Sequence, residues 1–183
     1  MRVATRTRAL SRRARLGAQF VGAGLAAAVA VGLTASPASA AQVTPEIFDE
    51  GSGNTTCEEQ LGDNYVTARK IDPVPETGGT FEFDPPFDNG SVTVTVTDTN
   101  DDDEPTVFNF AINGPYAAAA VIVKGADASN IYNYVENGFP NGIAADTELN
   151  APLNNGTLPG ISHIEFCIIE SPYNGNGNGG GTA

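Results

Sequence analysis

From Ser91 to Asp98 the chain reads S-V-T-V-T-V-T-D, so Val92, Val94 and Val96 fall on one side of an extended backbone and Thr93, Thr95 and Thr97 on the other. Valine and threonine are β-branched and pack well on a pleated surface, which makes this segment a strand. Thr80 to Phe83 before it and Thr106 to Ile112 after it alternate in the same way, divided by Pro-Pro, Asn-Gly and Asp-rich turn material. Three adjacent strands in a meander are predicted. Ala117 to Lys124 is ambiguous by pattern: its alanines favour helix, whereas Val121-Ile122-Val123 favour a strand buried on both faces. Pro115 and Gly125 bracket enough room for a strand. Asn130 to Tyr134 and His163 to Ile169 alternate again, and Glu136 to Gly160 between them reads as one long loop rich in Gly, Pro and Asn. About seven short strands separated by turn signals predict an all-β fold, a single antiparallel β-sandwich or jelly-roll-like domain with long loops over residues 57–171. Residues 41–56, with Pro45, Gly51 and Gly53, read as an extended lead-in, and residues 172–183 as a flexible Gly/Asn-rich tail.

The first forty residues differ from the rest. Arg2, Arg6, Arg8, Arg12, Arg13 and Arg15 precede the apolar run Phe20 to Leu33, and Ala38-Ser39-Ala40 follows it. A basic start, a short apolar stretch and a small-residue cleavage site predict a removable export signal over residues 1–40, with the mature chain starting near Ala41. Ser11 to Leu16 partly matches a twin-arginine signal, with Arg15 where an aromatic is usual, so both general export routes stay open. The apolar run is shorter than the roughly 20 residues a membrane-spanning helix needs, and no membrane insertion is expected once it is removed.

Removing the signal changes the charge balance. Six of the 9 basic residues leave and all 22 acidic ones stay, so Arg69, Lys70 and Lys124 face a net charge of 3 − 22 = −19. Such a chain repels itself in dilute buffer, while a Debye length of about 3 Å at 1 M salt screens most of the repulsion. The composition reads as a halophilic surface, beside the plainer reading of an ordinary acidic secreted protein. Nucleic acid is excluded as a partner by sign of charge.

Cys57 and Cys167 are the only cysteines, and an exported chain matures where thiols oxidise, so one disulfide between them is expected.

Val121-x-Val123-Lys124-Gly125, Tyr132-x-Tyr134, Leu149-x-Ala151-Pro152 and Ile161-Ser162-His163-Ile164-x-Phe166-Cys167 together resemble a class of uncharacterised secreted microbial surface-protein modules, in which these motifs recur in this order. The resemblance covers Ala117 to Cys167, and Ala126 stands where those modules carry a second glycine. It implies an extracellular β-rich module whose opening cysteine pairs with the closing one. It implies no reaction and transfers no catalytic residue.

Several side chains invite a chemical role. Ser162 and His163 look like a nucleophile beside its base, but neighbours on a strand point to opposite faces, and His163 is expected to be a structural hydrogen-bonding residue. Lys124 ends an apolar run; a desolvated nucleophile is one reading, and an ion pair with Asp127 or Asp146 that fixes the strand end is the favoured one. Asp98, Asn100, Asp102 and Glu104 place oxygen ligands as a calcium loop begins, although Asp103 and Pro105 break the EF-hand pattern, and a solvated acidic hairpin loop is the simpler alternative. Asn54, Asn89 and Asn155 head acceptor sequons for glycosylation. No set of acid, base and nucleophile converges from one histidine and three cations. The expected function is thus a secreted or cell-surface non-catalytic structural or binding module from a high-salt environment. Its partner would be a cell-surface protein or a polysaccharide, and no cofactor is needed unless the acidic loop takes calcium. A calcium-dependent adhesin or carbohydrate-binding domain is the first alternative, and a small hydrolase with paired carboxylates the second.

Overall fold

The alternating segments pair into two antiparallel sheets in the computed structural model, which describes residues 41–49, 55–62 and 65–171. The expected export signal, the C-terminal tail and the sequon at Asn54 lie outside the described residues. In chain order the elements are β1 (Glu46–Asp49), α1 (Cys57–Leu61), β2 (Thr67–Ile71), β3 (Gly78–Glu82), β4 (Ser91–Thr99), β5 (Pro105–Asn113), β6 (Tyr116–Gly125), β7 (Ala128–Asn133), β8 (Ala145–Asn150) and β9 (Ile161–Glu170). One sheet has the order β1-β7-β6-β9-β2 and the other β3-β4-β5-β8. The all-β sandwich follows, and the predicted meander is β3-β4-β5.

The valine face of β4 turns inward, with Val92 and Val94 buried, while Thr93 bonds Thr80 across the solvent face. β5 supplies Phe108 and Phe110 to the same core, and Phe110 meets Phe166 of β9 edge to face at 5.4 Å. Burying an aromatic of this size is worth about 1.5–3 kcal/mol, so this layer supplies much of the cohesion between the sheets. β6 is central in its sheet and buried along all 10 residues, which resolves its alanine-rich start in favour of the strand. A register shift between Ala118 and Ala120 changes which side chains face in: Ala118, Val121 and Val123 join the core between the sheets, while Ala120 and Ile122 join Cys57, Ile131 and Cys167 on the outer face.

Two regions depart from the expected outline. Residues 41–56 are more than a lead-in, since Val43 enters the core, β1 pairs with β7, and Thr56 caps α1. The loop from Glu136 to Gly160 contains a strand, β8, that pairs with β5. Glu148 has a φ of 61° there, so the inward side chains are Asp146 and Leu149, three residues apart rather than two.

Candidate functional site

Strand register brings the chain's histidine and two of its cations to one face. On the outer side of the five-stranded sheet, β6 and β9 set Ala120 opposite Cys167, Ile122 opposite Glu165 and Lys124 opposite His163. β2 adds Thr67 opposite Cys167 and Lys70 opposite Glu165. Above this face sits α1, held by a Thr56 capping box and by the Cys57–Cys167 disulfide, whose Cα atoms are 5.5 Å apart. The expected bond between the two cysteines is therefore present. Ser162 is exposed and His163 buried, so the adjacent pair does point to opposite faces.

Glu165 is the centre of the cluster. It is only 3% exposed, accepts a hydrogen bond from Thr67 Oγ1 at 3.1 Å, and lies 3.5 Å from Lys70 Nζ. Burial raises its pKa, while Thr67 and Lys70 pull it back toward the charged form. His163 Nε2 lies 3.9 Å from Glu165 Oε1, outside hydrogen-bond distance, and has no partner of its own. Burial, helped by Lys70 and Lys124 against Asp72, pushes the imidazole down to about 4, so it is neutral at pH 7. The Thr67 and Lys70 contacts to Glu165 tie β2 to β9. Glu165 is the unspecified position of the I-S-H-I-x-F-C strand and Lys70 lies in no motif, so only the register of β2 against β9 joins them.

Lys124 is buried on that outer face. Asp146, one of its two expected partners, faces the core between the sheets and bonds instead to Gln42, Thr147 and Tyr134.

The acidic loop joins β4 to β5. Asn100 Oδ1 accepts the N–H groups of Asp102 at 3.0 Å and Glu104 at 2.9 Å, and Asn100 Nδ2 donates to Glu104 Oε2 at 2.8 Å. Asp98 Oδ1 accepts the N–H of Thr99. Two of the four expected calcium ligands thus face each other, and Glu104 also lies against Gly160. No group of three or more metal-binding side chains assembles among the described residues. Of the sequons, Asn89 is exposed but accepts a hydrogen bond from Tyr116 Oη, while Asn155 is exposed at the tip of a tight turn with Gly156, both at positive φ.

A shallow cleft of about 320 Å³ opens beside the β6–β7 turn, lined by Gly125 to Ala128, Ile47 and Pro152 to Asn154. Ile47 and Leu153, at 69% and 65%, are the most exposed large apolar side chains among the described residues. In that turn Ala126 has a φ of 51°, the left-handed region that glycine enters freely and alanine does not. Replacing Ala126 with Gly is expected to stabilise the domain by about 0.5–1 kcal/mol, read as a raised denaturant midpoint at unchanged slope. A lowered midpoint would refute the strain at this turn.

No family model, curated protein or solved structure matches the chain. The likeness of Ala117 to Cys167 to secreted surface modules therefore rests on those motifs alone.

Proposed function

We propose that the chain is a non-catalytic structural or binding module, secreted or held at a cell surface in a high-salt medium. The observation that carries this reading is how its cations are used. Arg69 bonds Asp84 at 3.2 Å and lies over the Phe81 ring, Lys70 serves Asp72 and Glu165, and Lys124 is buried. All three cations of residues 41–183 are held locally on β2 and β6, so the remaining surface is left to carboxylates. The same economy supports a structural role for the histidine, which is buried opposite Lys124. A surface of this kind suits a medium whose ions screen it, and suits a partner such as a neutral polysaccharide or a surface protein that meets it there.

The test is a series of thermal melts in NaCl from 0.1 M to the molar range, with sucrose as an uncharged control. The melting temperature is expected to climb with salt by several degrees and to respond less to sucrose, because screening relieves self-repulsion that an osmolyte leaves in place. A melting temperature flat in NaCl would sink the high-salt reading.

A further inference from the structure

Residues 41–43 are docked beside a buried carboxylate. Asp146 is 3% exposed, and both of its oxygens accept the backbone N–H of Gln42, at 3.0 and 3.1 Å. Thr147 N–H adds a bond to Oδ1 at 2.8 Å and Tyr134 Oη donates to Oδ2 at 2.9 Å. Gln42 Nε2 reaches back to the Ala145 carbonyl, Ala41 packs on the core and Val43 enters it. The ion pairs that join Arg69 to Asp84, and Lys70 to Asp72 and Glu165, do not involve Asp146. A buried carboxylate held by neutral donors is stabilised further by a cation within about 4–6 Å.

We infer that Asp146 is the receptor for the amino terminus created when the export signal is removed after Ala40. The inference rests on the proposed secretion of the chain. Covalent geometry limits consecutive backbone nitrogens to about 3.7 Å, so the Ala41 nitrogen lies within roughly 7 Å of the carboxylate that Gln42 N–H bonds. Before cleavage that nitrogen is an amide with one N–H and no charge. Hydrolysis of the Ala40–Ala41 bond consumes one water, leaves a carboxylate on Ala40 and gives Ala41 an ammonium with three donors. Removal of the signal then does more than release the chain: it supplies the charge that completes the site and locks residues 41–43 against β8. Tyr134 is suited to share the site, since burial and the charge of Asp146 raise its pKa and keep its hydroxyl a donor; the charge of Asp146 also bears on Tyr132.

The experiment compares the processed chain starting at Ala41 with a chain starting at Ser39, each with and without Asp146→Asn. The α-amino pKa is followed by NMR on labelled protein. In the Ala41 chain it is expected to rise from about 8 to 9 or above, a tenfold or greater preference for the charged form, and to return to about 8 with Asp146→Asn. The Ser39 chain is expected to melt about 5 °C lower than the Ala41 chain, a difference that disappears when Asp146 is Asn. An α-amino pKa near 8 in the Ala41 chain with Asp146 intact would overturn the inference, and that reading needs no variant to fold. Mass spectrometry of the N-terminus after export from a host tests the secretion reading separately: cleavage elsewhere would defeat that reading while the pKa still decides whether Asp146 can hold an amino terminus.

Discussion

Replacing Cys57 and Cys167 together with alanine is expected to lower the stability of the domain by about 4–5 kcal/mol. The bond closes a loop of 110 residues, and in the chain-entropy description a loop of that size restricts the unfolded ensemble by about 4.7 kcal/mol. Both sulfurs are fully buried in the small apolar cluster with Ala120, Ile122 and Ile131, so alanine, which adds no polar atom, is the right replacement. The bond also fixes α1, a helix of only 5 residues that could not persist on its own, against β9. Against a typical total of about 5–15 kcal/mol, losing this contribution leaves a marginal fold. Urea unfolding in molar NaCl, with and without reductant, measures it: the reduced native sequence should approach the double variant. A difference below about 1 kcal/mol between oxidised protein and double variant would show that the crosslink does not restrain the unfolded chain.

Pattern reading finds the strands that contain a run of strict alternation, even where the register shifts elsewhere in the strand, as it does past Val96 in β4. Val92 and Val94 in β4, and Phe108 and Phe110 in β5, keep a spacing of two and face the core as expected. Of the strands it misses, β1 is only 4 residues long, and β2 and β8 carry a register shift within a short span. In β2 the buried residues are Ala68 and Ile71, three apart, because the register shifts between Thr67 and Arg69. In β8 the shift around Glu148 separates Asp146 from Leu149 in the same way. A single inserted residue turns a period of two into a spacing that looks like a loop or a helix. The short helix left a trace, Thr56-Cys57-Glu58-Glu59, a capping box whose reciprocal bonds form between Thr56 and Glu59. The candidate sites divide along the same line. The disulfide was legible because two cysteines allow one pairing, whereas the grouping of Lys70, Glu165 and His163 depends on which strands become neighbours, and that is set by long-range pairing of β2 with β9.

That grouping gives the domain a specific response to acid. His163 takes up its proton near 6.5 when unfolded and only near about 4 in the folded protein, where burial and the nearby Lys70 and Lys124 disfavour the imidazolium. Between those values the unfolded chain binds more protons, so stability falls as pH drops. The contribution is present in full above pH 6.5 and is lost as pH falls toward 4, at about 1.36 kcal/mol per unit, or about 3 kcal/mol in all. Glu165 carries the opposite sign: its raised pKa favours the folded state at low pH, and that contribution is lost as pH rises through its folded value. Protonating the exposed carboxylates also relieves self-repulsion and works against the histidine. Comparison with His163→Gln in molar NaCl separates these effects, since the variant keeps Glu165 and every surface acid. From pH 7 to pH 4 the native protein is expected to lose about 3 kcal/mol more than the variant, and its imidazole resonance should show no transition near 6.5. Parallel stability curves for the two proteins, or a histidine that titrates near 6.5 in the folded state, would place His163 in contact with water and refute its burial as the source of the acid response.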